Sequence, residues 1–171
     1  MTGLSLTTLA NLAEIIGAGS IITGLIFGWF QFRQYRIQQR DAIAMNLTQT
    51  FYSNDLALAI SLVQTLPDGI SLKEIRERGP EYFQAAVTIT TSFETMGLLV
   101  FKRIASLDLV VDLAGGIVTT MTRKLERWLE DLRVEQEQPS WGEWFEWLGR
   151  QAAKIQSVSE PAHIKYRDWK P

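Results

Sequence analysis

Cysteine is absent from the 171-residue chain, and histidine occurs once, as His163. Without cysteine the chain has no disulfide, no thiol nucleophile and no cysteine-bound zinc. A single histidine is too few for a multi-histidine metal site within one chain. We therefore expect neither a metal nor another cofactor, and the sequence predicts no catalytic residue.

Positive charge is too scarce to indicate a nucleic-acid partner. The 17 Lys and Arg residues are balanced by 19 Asp and Glu residues, which gives a formal net charge of −2 at pH 7. Because no excess of positive charge covers the chain, we do not expect it to bind nucleic acid. The charges are unevenly distributed, and Glu14 is the only charged side chain among residues 1–32.

A long uncharged stretch follows Glu14: residues 15–32 read IIGAGSIITGLIFGWFQF. A helix of about 18 residues extends about 27 Å, close to the thickness of the hydrocarbon core of a bilayer. Trp29 lies near the end of this stretch, where aromatic rings favour the membrane interface. The sequence therefore predicts a transmembrane anchor in residues 1–32, and we expect the lipid bilayer to be a partner.

Arginine follows the predicted span but does not precede it. Arg33, Arg36 and Arg40 come directly after the span, and no Lys or Arg comes before it. By the positive-inside rule, this asymmetry predicts a single-pass protein of the inner or plasma membrane, with its N-terminus outside and its C-terminal domain cytoplasmic. Two alternatives stay open. One is a cleaved signal peptide, which would need basic residues before the apolar stretch, and the other is the buried core helix of a soluble protein.

Small residues recur inside the predicted span. Ser20, Gly24 and Gly28 are spaced four residues apart, so they share one helix face. Such a face allows the backbone of a second membrane helix to approach closely. Glycine is common in membrane helices in general, so a helix in contact with lipid alone is the alternative. We take these three residues as candidates for helix packing in the membrane.

The chain after the span has the periodicity of amphipathic helices. Residues 33–156 carry apolar side chains at helical spacing between capping and helix-breaking residues. The predicted fold class is all-α, with a single N-terminal transmembrane helix that continues into a small cytoplasmic helical bundle. One long helix is predicted from Pro80 to about Ile104. Residues 157–171 contain two prolines and no helical period, which predicts an irregular C-terminal tail.

Two polar or aromatic features lie off the predicted core faces. Thr88, Thr91, Ser92 and Thr95 share the side of the Pro80 helix that is opposite its apolar stripe, and they would suit a partly polar subunit interface. Trp147 lies about 100° from the centre of the apolar face of the last predicted helix, where it could contact a subunit or a lipid headgroup. With the small residues of the span, they predict a homo-oligomer.

Three functional classes remain open. The first is a non-enzymatic, membrane-anchored helical module that self-associates and scaffolds or regulates an unidentified protein partner. The second is a homo-oligomer that forms a pore or conducting path. The third is an enzyme that uses carboxylates such as Glu94, although the chain shows no nucleophile–base arrangement. We expect Glu94 to be a structural carboxylate that pairs with an arginine.

The order of segments is similar to that of a known family. The segments are LANLAEIIGAGSIITGLIF, FRQYRIQQRDAIAMNLTQTFYSND, SFETMGLLVFKRIASLDLVVDLAGG, a helix that ends WLEDLR, and WFEWLGR. The series resembles the bacterial membrane-protein family catalogued as domain of unknown function number 4760, from about Leu9 to Arg150. The resemblance implies one N-terminal span before a small cytoplasmic helical domain. It supplies no activity, so it assigns no site residue.

Overall fold

The structure, a computed structural model, describes the backbone of residues 6–51 and 53–170. Before residue 53 it describes the side chains of residues 11, 14–35, 38 and 49. The described chain contains helices and no strand, which confirms the predicted all-α class. In chain order the helices are α1 (Leu6–Phe51), α2 (Asn54–Gln64), α3 (Leu72–Arg78), α4 (Pro80–Phe101), α5 (Leu107–Glu135), α6 (Glu143–Val158) and α7 (Ala162–Lys165).

Two compact units make up the chain, Met1–Ala42 and Ile43–Pro171. In the first unit, the 22 residues Glu14–Tyr35 of α1 are long and apolar enough to cross a membrane. Their side chains are exposed along the whole stretch. The core helix of a soluble protein is mostly covered by its own chain, so this exposure does not support the buried-helix alternative.

The second unit has its own apolar core. The buried apolar side chains of this core lie between Leu56 and Ala152 and form a single cluster. The rings of Phe93 on α4 and Phe145 on α6 stack at its centre, with centroids 5.6 Å apart. Trp128 of α5 is fully buried and meets the edge of the Phe83 ring at 6.3 Å. These large rings join α4, α5 and α6 into one bundle.

Glycines let α6 pack closely against both long helices. A Cβ atom on Gly97 of α4 would collide with the backbone carbonyl of Trp144, and a Cβ atom on Gly149 of α6 would collide with the side chain of Thr122 on α5. Backbone atoms cannot move aside as the end of a flexible side chain can. The approach of α4 to α6 therefore requires a residue without a side chain at position 97.

Helices α4 and α5 end with the same backbone arrangement. Arg103 and Glu137, each two residues beyond its helix, adopt the left-handed conformation with φ of 57° and 54°. After α4, the Ile104 N–H donates to the Leu99 carbonyl at 2.9 Å. This is the Schellman motif, in which glycine usually occupies the left-handed position. The turn ends α4 at Phe101 instead of the predicted Ile104.

The end of the chain also differs from the sequence prediction. Helix α6 continues to Val158, and α7 forms a short helix at Ala162–Lys165 inside the segment that was predicted to be irregular. The Pro161 carbonyl accepts hydrogen bonds from the Ile164 and Lys165 N–H groups, so the proline begins this turn without interrupting it. The side chains of this segment are exposed.

Helix α5 supplies groups that complete the ends of its shorter neighbours. A carboxylate oxygen of Asp131 accepts a hydrogen bond from the Leu72 N–H at 2.9 Å, which satisfies a free donor at the start of α3. The buried ammonium group of Lys124 donates to the Leu66 carbonyl, just beyond α2, and lies 3.5 Å from a carboxylate oxygen of Asp68. These polar contacts fix the α2–α3 segment against α5.

The glycines of α4 and α5 give a direct test of the helix packing. Gly97→Ala is expected to destabilise the second unit by about 1–3 kcal/mol, because the added methyl group meets the Trp144 backbone. Gly116→Ala is the matched control, because the nearest atom to its added Cβ lies 4.0 Å away. That change is expected to stabilise α5 by up to about 1 kcal/mol.

The free energy of unfolding of both variants is measured by denaturation in detergent. Near-ultraviolet circular dichroism, which is sensitive to the packing of the buried Trp128, monitors the unfolding. Equal stabilities for Gly97→Ala and Gly116→Ala would show that α4 and α6 do not approach as closely as described.

Candidate functional site

The small residues of α1 form an open face. Ser20, Gly24 and Gly28 are exposed, and a Cβ atom added at either glycine would meet no atom within 4 Å. The hydroxyl groups of Ser20 and Thr23 donate to carbonyls one turn earlier in the helix, each at 2.8 Å. Because these hydroxyls are satisfied within the helix, the face suits a low-dielectric surrounding such as lipid or another helix.

The residues predicted to set the topology lie at the end of the same stretch. Trp29 and Arg33 are exposed, and Trp29 is 71% accessible. The backbones of Arg36 and Arg40 lie in α1, but their side chains fall outside the part of the chain that the structure describes. The order of aromatic and basic groups along α1 is therefore that of a helix end at a membrane interface.

The hydroxyl-bearing side of α4 is partly open. Thr91 and Thr95 are exposed, whereas Thr88 and Ser92 are half-buried. The Thr91 hydroxyl donates to the Val87 carbonyl at 2.9 Å, and the Thr95 hydroxyl donates to the Thr91 carbonyl at 2.9 Å. Because the helix itself accepts these hydrogen bonds, the two threonines need no subunit partner. This side of α4 remains a candidate subunit interface, but the hydroxyls of Thr91 and Thr95 do not require one.

Trp147 belongs to a different surface, where α4 ends and α6 begins. The centre of its ring lies 5.9 Å from that of Phe101, in an edge-to-face arrangement, and 6.2 Å from that of Trp144. The ring centres of Phe101 and Trp144 are 4.3 Å apart. Leu98, Phe101 and Ile104 are 39–52% exposed, and both tryptophans are half-buried. We call these five residues, Leu98, Phe101, Ile104, Trp144 and Trp147, the aromatic patch.

Two cations border the aromatic patch. Lys102 and Arg103 are exposed and follow Phe101 directly. The Lys102 ammonium lies 5.9 Å from the centre of the Phe101 ring, within the range of a cation–π contact. Among the described residues, neither cation forms an ion pair. The patch therefore combines partly exposed rings with two cations that have no carboxylate partner among the described residues.

Glu94 holds the start of α6 in place beneath this surface. Helix α6 has no side-chain cap of its own, because the residue before it is Gly142 in the left-handed conformation. Instead, a carboxylate oxygen of Glu94 accepts a hydrogen bond from the Phe145 N–H at 2.8 Å. The negative group also faces the positive end of the helix dipole. Glu94 therefore fixes the direction in which α6 leaves the loop, and with it the position of Trp144.

The partner expected for Glu94 was an arginine, but among the described residues its carboxylate forms no ion pair, and the nearby charge of Arg133 is a minor influence that lowers its pKa. Arg133 is the closest match, but its guanidinium donates to the Trp141 carbonyl at 2.7 Å and to a carboxylate oxygen of Glu146 at 3.0 Å. Burial raises the pKa of Glu94 above its ordinary value, and the hydrogen bonds from the Phe145 and Trp144 N–H groups oppose this effect. Its carboxylate is engaged by the backbone of α6.

Other surfaces of the second unit offer less chemistry. A shallow groove of about 560 Å³ lies beside α3 and includes Arg76, Asp131 and Glu135. Its polar groups are already paired, since Arg76 donates to both carboxylate oxygens of Glu135 at 2.6 and 2.7 Å and Asp131 accepts from α3. Among the described residues, no group of His, Asp and Glu side chains is placed to hold a metal ion.

Sequence reasoning identified Trp147 but missed the rest of the aromatic patch. Leu98 and Phe101 are apolar residues that lie outside the apolar stripe of α4. Their positions in the sequence are therefore a signal that could have indicated an exposed apolar surface. Ile104 is the approximate end of the predicted helix, but the left-handed turn at Arg103 ends α4 earlier, and Ile104 is 52% exposed. The contact between Phe101 and Trp144 depends on the Gly97 approach, which periodicity alone does not predict.

Substitutions of Glu94 separate the hydrogen bond from the charge. Glu94→Ala is expected to cost about 1 kcal/mol or more, because the Phe145 N–H loses its acceptor. Glu94→Gln keeps an acceptor and removes the buried charge, so its loss is expected to be smaller.

The pH dependence has a definite sign. Because folding raises the pKa of Glu94, its protonated form favours the folded state. The stability of the wild type relative to Glu94→Gln is therefore expected to be highest below pH 4.5 and to fall as the pH rises through the raised value. Denaturant titrations of both proteins across this range measure the difference. A difference that grows with pH would contradict the burial of this carboxylate.

Comparison with known protein families gives a match to a family model. The family model described as a domain of unknown function (DUF4760) matches residues 18–151, which include most of the apolar stretch of α1 and the whole aromatic patch. No curated protein and no solved structure matches the chain.

Proposed function

Because the chain belongs to the DUF4760 family, whose function is unknown, we propose a function from its geometry: a membrane-anchored helical module that self-associates through α1. The observation that carries the proposal is the exposed apolar stretch Glu14–Tyr35, with the open face of Ser20, Gly24 and Gly28. The bundle formed by the second unit then acts as a scaffold for an unidentified protein partner.

The membrane orientation follows from the charges that flank this stretch. Arg33, Arg36 and Arg40 come after it, and no Lys or Arg comes before it. The rule that positive residues stay in the cytoplasm supports an outer N-terminus and a cytoplasmic bundle. The proposed location is the inner or plasma membrane, which the protein crosses once.

A pore is the second candidate, and the polar groups of α1 support it less well. A helix that lines a water-filled path presents a polar stripe to the water. The hydroxyls of Ser20 and Thr23 are directed to carbonyls of their own helix, and the glycines offer no polar side chain. These features favour contact between helices over contact with a column of water.

Leucine substitutions on the open face test self-association. Gly24→Leu combined with Gly28→Leu is expected to weaken the assembly roughly tenfold or more, because the added side chains keep the helix backbones apart. The change meets no atom of its own chain, so the bundle is expected to keep its stability. Gly19→Leu, whose added Cβ also meets open space, is the matched control and lies about 140° around the helix from Gly24, the centre of this face.

Mass measurement in detergent at several protein concentrations reads out the assembly. A wild-type chain that remains monomeric at about micromolar concentration would end the self-association proposal and the pore alternative with it. Equal weakening by Gly19→Leu would show that the helices do not pack through the proposed face.

A further inference from the structure

We propose that the aromatic patch, with Lys102 and Arg103 beside it, docks the bundle on the anionic surface of a lipid bilayer. The proposal rests on the anchor proposed above, because α1 brings the bundle to that surface. It assigns a ligand class, anionic phospholipid headgroups, to a part of the second unit that lies outside α1.

The first support is the chemistry of the surface. Phe101, Trp144 and Trp147 place aromatic rings together at the end of α4, and Leu98 and Ile104 expose aliphatic side chains beside them. Tryptophan favours the boundary between headgroups and acyl chains, because its ring is apolar and its N–H is polar, and phenylalanine inserts its apolar ring at the same boundary. Cations next to such rings add attraction to anionic lipids.

Charge complementarity separates a bilayer from a second copy of the chain. A symmetric contact between two aromatic patches would bring the Lys102 and Arg103 of one copy close to those of the other. Like charges repel at such a contact, and the described residues provide no carboxylate partner for either cation. An anionic lipid surface neutralises both, so the observations favour the bilayer.

The second support is the length of the connection. The apolar stretch of α1 ends at Tyr35, and α1 itself ends at Phe51. Helix α2 begins at Asn54. Because the proposed anchor is covalently joined to the bundle, it raises the effective concentration of the bundle at the membrane, so a small patch of weak intrinsic affinity suffices.

The third support is the backbone of Arg103. This residue has φ of 57° at a position where helix ends usually have glycine, and the left-handed conformation is costly for a side chain with a Cβ atom. In this conformation the Arg103 side chain is exposed, and it forms no ion pair among the described residues. The turn thereby places an exposed cation beside the Phe101 ring and the aliphatic side chain of Ile104.

This backbone also supplies a matched pair of variants. Arg103→Gly removes the positive charge and relieves the strained conformation, so the fold is expected to be as stable as before. Glu137→Gly makes the same backbone change at the end of α5, where φ is 54°, and removes a negative charge. Loss of docking in the first variant alone therefore cannot arise from damage to a helix end.

The absence of cysteine allows a single probe to be placed in the full-length chain. A fluorescent label at Ile104→Cys reports on the aromatic patch. A label at Lys73→Cys on α3 is the control, since α3 contacts α4 near Phe83 and that contact is about 27 Å along α4 from Phe101. The protein is reconstituted in vesicles of phosphatidylcholine, with or without phosphatidylglycerol, that contain a nitroxide-labelled lipid as quencher.

The expected result is quenching of the Ile104→Cys label in vesicles with phosphatidylglycerol and much weaker quenching of the Lys73→Cys label. Arg103→Gly is expected to lower the ratio of docked to undocked protein about fivefold, the contribution of one arginine near an anionic surface. High salt is expected to act in the same direction, and Glu137→Gly is expected to leave the ratio unchanged.

Three results would overturn the docking proposal. The first is equal quenching of both labels. The second is quenching of the Ile104→Cys label that does not change with Arg103→Gly or with phosphatidylglycerol. The third is an Ile104→Cys label that is not quenched but whose emission shifts to the blue as the protein-to-lipid ratio rises. The last result would assign the patch to a second copy.

Resistance to carbonate extraction tests the anchor separately. If carbonate removes the chain from vesicles in which the Ile104→Cys label was quenched before extraction, docking is supported and the anchor is contradicted. If carbonate removes the chain and the label was not quenched before extraction, both proposals are contradicted.

Discussion

Water cannot cover the apolar side chains of α1 without a large cost. Ten large apolar residues between Ile15 and Phe32 are 53–71% exposed, and each gains about 1.5 kcal/mol or more when it leaves water. The sum is on the order of 15 kcal/mol, as large as the stability of a whole domain. The described chain buries none of this stretch. The proposed anchor, orientation and self-association therefore all depend on a surrounding that removes the stretch from water.

A different constraint organises the second unit. Its shorter helices begin and end in contact with side chains from the long ones, through Glu94 on the start of α6 and Asp131 on the start of α3. Such contacts join segments that are far apart in sequence, so they set direction as well as stability. Glu94 and Gly97 together position Trp144 against Phe101. The aromatic patch is therefore a product of how α4 and α6 are joined.

The sequence predicted features that depend on local periodicity and missed those that depend on long-range contacts. The helices and the apolar stretch of α1 follow from spacing and residue type, and the structure contains them. The partner of Glu94 is a backbone N–H on another helix. Because almost every residue has a backbone N–H, the sequence does not show which one Glu94 will contact. Lys124 reads as a surface residue from its charge, yet the α2–α3 segment covers it. The arginine at the left-handed position after α4 concealed the end of that helix, because glycine is the usual signal.

Cysteine scanning of α1 in native membranes tests the central claim most directly, because the chain has no cysteine of its own. Single cysteines from Ile15 to Phe32 are treated with a thiol reagent that does not cross membranes, with Asn11 and Gln38 as flanking positions. The account predicts that the positions within the stretch stay unlabelled, that Asn11→Cys reacts from outside, and that Gln38→Cys reacts only after the membrane is opened. Labelling throughout the stretch, or of both flanks from the same side, would contradict a membrane-spanning helix.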